Sequence, residues 1–186
     1  MIVASDVRSG LVIQLDRDLY KVEAARLHKG GGQAGATVHL TLRNLRTGNV
    51  TERRLRPTEK LEDVVLERLT AEYLYEDTER CYFMDVESYE QLEVPKRMLG
   101  DRLAFLQPNM RIDMELLEGR PVDVLFPATV DLKVASTGPG VHESEATYKP
   151  AVLENGIEIL VPQFIKTGDT VRVDVQTRKY VERVKA

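Results

Sequence analysis

Residues 29–42, KGGGQAGATVHLTL, join a glycine-rich segment directly to a strand pattern. The glycines match the GxGxxG spacing of a dinucleotide-binding turn, which needs a helix after it because the helix N-terminus meets the pyrophosphate. Here Val38, Leu40 and Leu42 alternate with polar residues, and this alternation predicts a half-buried strand. A strand in place of the required helix therefore argues against a dinucleotide-binding turn. The lack of a following Gly-Lys-Ser/Thr excludes a P-loop.

The glycines leave two interpretations open. One is a long flexible hairpin loop, and the other is a loop that reaches a narrow place where side chains would clash. Arg26 and Lys29 stand beside the entry to the segment. A loop that inserts between RNA groups would have this composition, so we expect residues 29–35 to protrude from the fold and to be poorly ordered.

Two-residue alternation is the dominant pattern along the chain. It recurs in ATVDLKV (128–134) and TVRVDV (170–175), and the turn signals RTGN, EGRP, ENG and KTGD follow at short spacing. Many short strands joined by regular turns predict a mainly β protein built of small barrels or sandwiches. Helical patterning is scarce, and SYEQLEVPKRMLGD (88–101) is expected to carry one short turn on each side of Pro95.

Two changes in the sequence divide the chain into thirds. The first comes around EKLEDV (59–64), and the second comes at FPATV (126–130), where a proline separates two strand-like runs. We therefore expect three small β-barrels in tandem, at 1–64, 65–128 and 129–186. Each is near the lower size at which a single core suffices, so we expect the barrels to pack end to end.

The net charge of -4 hides an asymmetry along the chain. The formal charge is +3 over residues 1–64, -7 over 65–128 and zero over 129–186. The positive excess lies with the glycines, which fits an RNA-facing end on an acidic body. No apolar run approaches the ~20 residues that span a bilayer, and the N-terminus lacks a signal-peptide pattern, so we expect a soluble cytoplasmic protein.

Few residues suggest chemistry of their own. The single cysteine, Cys81, lies in an apolar run and predicts a buried thiol. One cysteine and three scattered histidines make no metal site, and no catalytic triad can be assembled. The run containing His142, Glu143 and Glu145 is typical of a solvated loop. We therefore expect no enzyme, no cofactor and no metal.

Charged and aromatic residues supply candidate RNA contacts instead. The run ERRLR (52–56) predicts a strand with a basic outer face, which would bind phosphates without reading sequence. The run YEQ (89–91) is either a structural corner or an RNA contact. The candidate contacts are Arg26, Lys29, Arg53, Arg54, Tyr89, Glu90 and Gln91.

Several stretches, in order, resemble the bacterial elongation factor P family from end to end. They are LRNLRTGNVTERRLRPTEKLED (42–63), YLYEDTERCYFMDVESYEQLEVP (73–95) with GD at 100–101, LLEGRPVDVLFPATVDLKVASTGPGV (116–141) and KPAVLENGIEILVPQFIKTGDTVRVDVQTRKYVERV (149–184). The resemblance implies an SH3-like N-terminal barrel followed by two OB-fold barrels.

The resemblance also implies a function without enzymatic activity. Family members are translation elongation factors that bind the ribosome, contacting both subunits, beside the P-site tRNA. They stimulate peptide-bond formation when the nascent chain stalls, notably at consecutive prolines, and their first-barrel loop reaches toward the acceptor end of that tRNA. For this chain the implied partners are the ribosome and peptidyl-tRNA, with no membrane, and the implied state is a monomer.

Two departures from the family pattern affect the expected site. The loop tip usually carries Lys or Arg, often extended by modification, whereas an ungapped alignment puts Gln33 there. The neighbours of the tip are small: Gly31, Gly32, Ala34 and Gly35. A neutral amide cannot take an amine or guanidine modification, so either the loop works unmodified through Gln33 or Gln33 is a neutral spacer in a loop that has lost this role. Lys29 is the nearest basic residue but aligns with the rising arm of the loop, and an adduct there would overturn the assignment to Gln33. The segment 142–148, which the resemblance implies touches mRNA, is about two residues shorter than usual.

Three other functions would each require different features of the sequence. A general RNA-binding OB protein needs aromatic stacking platforms, and the chain has 4 Phe, 7 Tyr and no Trp. An elongation factor P-like paralogue would relieve a different set of stalls. A nucleotide-dependent enzyme would need a helix after the glycines, and the sequence has a strand there.

Overall fold

The first sheet has six strands among the residues that the structure describes. This computed structural model describes residues 1–31, 35–141 and 147–185. The strands are β1 (Ile2–Val3), β2 (Val12–Leu15), β3 (Asp18–His28), β4 (Thr37–Asn44), β5 (Val50–Leu55) and β6 (Lys60–Val64), with a 3-10 helix at Ala4–Asp6. Their order is β1-β6-β2-β3-β4-β5, so the glycine segment connects two neighbouring strands, β3 and β4.

The alternation in residues 37–42 forms the strand that the sequence predicts. Val38, Leu40 and Leu42 of β4 are buried in a hydrophobic cluster drawn from residues 2–61. The polar residues between them point away from this cluster, because successive side chains of a strand face opposite sides. The sheet therefore has a core face and an opposite face, which we call the outer face.

A β-bulge changes the phase of β3. The register against β4 shifts between Val22 and Ala24, which makes Glu23 the extra residue. Strict alternation would put Lys21 and Arg26 on opposite faces, but the bulge brings both to the outer face. One face of the β3–β4 hairpin therefore carries charged residues at both of its ends.

The central sheet has five strands and two short helical segments in the part of the chain described. They are β7 (Glu67–Glu76), β8 (Arg80–Asp85), β9 (Gln91–Pro95), α1 (Lys96–Leu99), a 3-10 helix at Gly100–Phe105, β10 (Arg111–Leu117) and β11 (Arg120–Leu125). The order is β11-β10-β7-β8-β9, and the two edge strands approach each other. The sheet is therefore curled toward a closed barrel.

Pro95 separates a strand from a helical turn. The expected turn before it is wrong, because residues 91–95 pair with β8 as an edge strand. An edge strand can end in proline, since the missing N–H costs no ladder hydrogen bond there. The expected turn after Pro95 is present as α1.

Cys81 of β8 is fully buried, which confirms the predicted buried thiol. Burial raises the pKa of this thiol to about 11, and the nearby carboxylate of Glu76 raises it further. The thiolate is the reactive form of cysteine. Cys81 is therefore a packing residue that is unreactive near neutral pH.

The third sheet repeats the alternating pattern. Its strands are β12 (Thr129–Thr137), β13 (Tyr148–Leu153), β14 (Glu158–Pro162), β15 (Thr170–Asp174) and β16 (Tyr180–Val184), in the order β14-β13-β12-β15-β16. Val130, Leu132 and Val134 are buried in one hydrophobic cluster, together with Val171 and Val173. The two sequence runs that predict strands in this region are therefore both strands.

Strands hold 56% of the described residues and helices 7%, which confirms the mainly β fold. The chain forms two compact units, residues 1–100 with 113–125 and residues 101–112 with 126–186. The first sheet and nearly all of the central sheet thus belong to one unit. The predicted domain boundaries near 64 and 128 stay predictions. Within the described residues, no helix is long and apolar enough to cross a membrane.

Candidate nucleic-acid interface

The β3–β4 hairpin presents the glycine segment at one end. Strand pairing runs up to His28 and Thr37, and residues 29–31 and 35–36 beyond it are exposed. Gly32, Gln33 and Ala34 lie outside the described residues, so the expectation that the tip protrudes and is poorly ordered stays a prediction.

Glycine at the ends of this segment is not required by the protein's own packing. A Cβ added at Gly31 or Gly35 would meet no atom within 4 Å, and neither residue has a positive φ. Internal crowding and backbone strain are the usual reasons for a glycine. The glycines at these two positions therefore fit a requirement imposed from outside the chain, such as close approach to a partner.

Three basic residues lie side by side at the base of this segment. Arg26 of β3 pairs with His39 of β4, and His39 pairs with Arg54 of β5. Directly paired residues on adjacent strands point to the same face. Arg26, His39 and Arg54 therefore form a row across the outer face, which we call the loop-end row. The exposed Lys29 follows β3 beyond this row.

A second histidine contacts the loop-end row. The rings of His28 and His39 lie 4.1 Å apart between centroids, and the Thr37 hydroxyl is 3.2 Å from Nε2 of His39. Partial burial lowers the pKa of His39 below its ordinary value, and the neighbouring His28 and Arg54 lower it further, while Glu52 opposes them. The lowered pKa favours the neutral form of His39 at neutral pH, and an anion bound beside it would raise that pKa again.

Sequence reasoning missed both histidines as site residues, although a signal was present. His39 occupies a polar position in the alternation of residues 37–42, which places it on the outer face with Thr37 and Thr41. Among the described residues, no group of three His, Cys, Asp or Glu side chains is placed to hold a metal ion.

The two candidate arginines of β5 lie on opposite faces of the first sheet. Arg54 pairs with His39 and joins the loop-end row, whereas Arg53 pairs with the buried Leu40 and points to the opposite face. Arg53 lies 3.8 Å from the carboxylate of Asp16, and both side chains are exposed. The expected basic outer face of this strand therefore consists of Arg54 and excludes Arg53.

Tyr89 and Glu90 lie in the turn between β8 and β9, Gln91 is the first residue of β9, and all three lie apart from the loop-end row. Tyr89 has a positive φ of 60°, and its amide donates to the carbonyl of Asp85 at 2.9 Å. The carboxylate of Asp85 accepts from the Ser88 hydroxyl at 2.9 Å, which fixes the turn. The backbone is therefore a structural corner, while the Tyr89 side chain, 72% exposed, is available for a contact.

The segment 142–146 lies outside the described residues, including His142, Glu143 and Glu145. Its flanks are held closely. Lys149, which is buried, donates to the carbonyl of Gly138 at 2.6 Å, and Gln163 accepts from the amide of Val141 at 3.2 Å. A Cβ at Gly140 would stand 2.5 Å from the carbonyl oxygen of Gln163, so only glycine fits there.

Three family models match the chain in succession. The elongation factor P KOW-like domain matches residues 3–61, the elongation factor P OB domain matches 66–124, and the elongation factor P C-terminal model matches 130–183. Each range coincides closely with one of the three sheets. The expected SH3-like (KOW-like) barrel and OB-type architecture is thereby confirmed.

Full-length relatives and a solved structure agree with these models. Elongation factor P of Moorella thermoacetica is 43% identical, covering 98% of this chain and 100% of its own length. Elongation factor P of Synechococcus sp. is 40% identical with the same coverage. Eukaryotic translation initiation factor 5A from Methanococcus jannaschii has a similar fold, with a TM-score of 0.50 at 18% identity over 67% of this chain and 92% of its own. The chain thus belongs, over its whole length, to the elongation factor P family of translation elongation factors.

Proposed function

We propose that this chain binds the ribosome beside the P-site peptidyl-tRNA and stimulates peptide-bond formation at stalled sequences, above all consecutive prolines. The observation that carries the proposal is the loop-end row, because Arg26, His39 and Arg54 lie on the hairpin that presents the glycine segment. Guanidinium and imidazolium groups bind RNA phosphates, and such contacts orient a partner without reading its sequence. The row would therefore hold the tRNA while the glycine segment approaches its end.

The proposed mechanism is positioning without covalent chemistry by the factor. The ribosome catalyses peptidyl transfer, and the rate depends on how well the reacting ends are aligned. A bound factor that holds the tRNA end near its attack geometry removes part of the entropic barrier. We propose that the chain does this as a monomer in the cytoplasm.

Gln33 is the residue that we propose acts at the tRNA end. A primary amide both donates and accepts hydrogen bonds, and its neutrality avoids the desolvation cost of a charge. Its reach is shorter than that of an extended lysine, so the backbone must come closer to the RNA. Small neighbours on both sides in the sequence permit such an approach, and we propose that the loop works unmodified.

Reconstituted translation of a template with consecutive prolines tests the proposal. The unmodified protein should restore synthesis, and Gln33→Ala should lower the maximal rate while the half-saturating concentration of factor changes little. Intact mass of the protein from its native host should equal that of the unmodified chain, allowing for N-terminal processing. Absence of stimulation by the native protein, full activity of Gln33→Ala, or an adduct on Lys29 would each contradict the proposal.

A general RNA-binding role is the second candidate, and one observation favours it. Tyr75 and Tyr82 stack with ring centroids 4.6 Å apart, and Tyr75 is 52% exposed. Stacked aromatics bind single-stranded bases. The Tyr82 hydroxyl, however, donates to the carboxylate of Asp77, whose negative charge repels phosphates. Footprinting on ribosomes and on free RNA distinguishes the two roles, since a general binder protects both.

A further inference from the structure

The end of the β3–β4 hairpin opposite the loop-end row holds a buried charge cluster. Lys21 of β3 forms ion pairs with Glu115 of β10 and, at 2.8 Å, with Asp123 of β11. Arg43 of β4, the direct cross-strand partner of Lys21, bonds Asp123 at 3.3 Å and Glu23 at 2.7 Å. These five residues join the two strands that carry the glycine segment to the central sheet.

Four of the five side chains are shielded from water, and Glu23 lies at the exposed edge of the cluster. The exposed fractions of the side chains are 13% for Lys21, 19% for Arg43, 11% for Glu115 and 1% for Asp123. Burial alone would lower the pKa of Arg43, but Asp123 and Glu23 outweigh it and raise that pKa. Charge-assisted hydrogen bonds in a shielded place are strong and directional, so they restrict the orientation of the groups they join.

The first sheet also has a hydrophobic core of its own on its other face. The hydrophobic cluster of the first sheet draws its members from residues 2–61, and none comes from the central sheet. The covalent connection is a two-residue link, residues 65–66, in which Val65 is 89% exposed. The ion pairs of Lys21 and Arg43 are therefore directional contacts that run from the first sheet to the central sheet outside this core.

The geometry of the hairpin amplifies any change at this cluster. Lys21 and His28 are separated by seven residues of one strand, which at ~3.3 Å per residue is about 20 Å. A rotation of about 5° at the cluster would move the far end of the hairpin by roughly 2 Å. A misplacement of about 1 Å in a positioning device can lower a rate on the order of a hundredfold.

We propose that Lys21 and Arg43, through Asp123 and Glu115, are positioning residues that fix the direction of the glycine segment relative to the central sheet. They touch no substrate; they act through the hairpin. This inference rests on the proposed function for its effect on peptide-bond formation. Its structural half, a fixed angle between the two sheets, stands independently of that function.

Electron paramagnetic resonance on the full chain tests the structural half. Spin labels at Thr58→Cys, in the turn between β5 and β6, and at Glu87→Cys, in the turn between β8 and β9, occupy exposed positions, and the buried Cys81 will not compete for the label. The native background should give a narrow distance distribution. Lys21→Met should broaden or shift it, whereas Arg46→Met, which breaks an exposed pair with Asp18 inside the first sheet, should leave it unchanged.

A second variant keeps the test decisive if Lys21→Met fails to fold. The combination Lys21→Met, Glu115→Gln and Asp123→Asn removes three charges together and leaves no buried carboxylate opposite a missing cation, while Arg43 keeps its ion pair with Glu23. It should fold and should also broaden the distribution. An unchanged distribution in the folded triple variant would overturn the proposal.

Translation of consecutive prolines tests the functional half. The triple variant should lower the maximal stimulation on the order of tenfold to a hundredfold, while the half-saturating concentration stays within about twofold. A merely structural role would leave the maximal rate of the folded protein unchanged, and that result would also overturn the proposal. If the native protein gives no stimulation, the proposed function fails while the spin-label result still decides the orientation.

Discussion

The two ends of the β3–β4 hairpin carry the same kinds of side chain in opposite settings. At the loop end, Arg26 and Arg54 are exposed beside His39, and they face solvent. At the other end, Lys21 and Arg43 are shielded and bonded to carboxylates of the central sheet. The position of a basic residue along the hairpin therefore decides whether its side chain is available to a partner or is bonded within the fold.

Desolvation explains why the two ends cannot exchange roles. A buried cation whose carboxylate is removed keeps its desolvation penalty, whereas an exposed cation regains water. The pair Arg46–Asp18 shows the exposed case within the same sheet, since Arg46 is 66% exposed. Exposed pairs contribute about 0–1 kcal/mol, so they leave a cation free to exchange partners.

Removing the buried cation should have the greatest effect on stability. Lys21→Met leaves Glu115 and Asp123 without their shared partner, and we expect the free energy of unfolding to fall by about 3–5 kcal/mol. Urea denaturation followed by circular dichroism measures this change. Arg46→Met is the control, with an expected loss below ~1 kcal/mol. Equal losses in the two variants would show that the two settings do not differ.

Arg54 and Arg53 provide a matched test at the loop end. Arg54→Gln should weaken ribosome binding and reduce the slope of log affinity against log salt by about 0.7–0.9, because one phosphate contact is lost. Arg53→Gln should change the slope little, since Arg53 points to the other face of β5. Titrations of labelled factor with ribosomes at several salt concentrations measure both slopes. Identical slopes for the two variants would contradict the loop-end row as the contact surface.

His39 predicts a pH dependence of binding. The groups that face it are Arg26 and His28 on β3, Glu52 and Arg54 on β5, and Thr37 and Thr41 on its own strand. Its pKa is lowered in the free protein, and a phosphate bound beside it would raise that pKa, so binding would be coupled to proton uptake. Affinity should therefore rise as pH falls below about 6.5, by at most about tenfold per pH unit.

Lowering the pH has the opposite effect on folding stability. The unfolded chain protonates His39 at a higher pH than the folded chain does, so the contribution of His39 to stability is lost as pH falls below about 6.5. His39→Asn should flatten both the binding and the stability profiles. Binding profiles measured between pH 7.5 and 5.5 that coincide for native protein and His39→Asn would exclude His39 from the contact.

Much of the fold could be predicted from alternation alone. The runs 37–42, 128–134 and 170–175 are strands because their apolar residues repeat every second position. The same rule separates Arg53 from Arg54, since Arg53 shares its phase with the inward-facing Leu55. The alternation in β5 is thus sufficient to predict that Arg53 and Arg54 lie on opposite faces.

The buried cluster could not be predicted in this way. Lys21 and Glu115 are 94 residues apart, and each looks like an ordinary polar position in its own strand. The bulge at Glu23 also reverses the phase of β3. Lys21 and Arg26 therefore lie on the same face, whereas strict alternation predicts opposite faces. Only the packing of the central sheet against one end of the hairpin makes its charges structural.

A single kinetic experiment separates the two ends most directly. Synthesis across consecutive prolines is measured against factor concentration for native protein, Arg54→Gln and the neutral Lys21/Glu115/Asp123 triple variant. Arg54→Gln should raise the half-saturating concentration and leave the maximal rate nearly unchanged, whereas the triple variant should lower the maximal rate at nearly unchanged half-saturation. If both variants change the same parameter, the loop end and the buried end do not have separate roles in binding and in positioning.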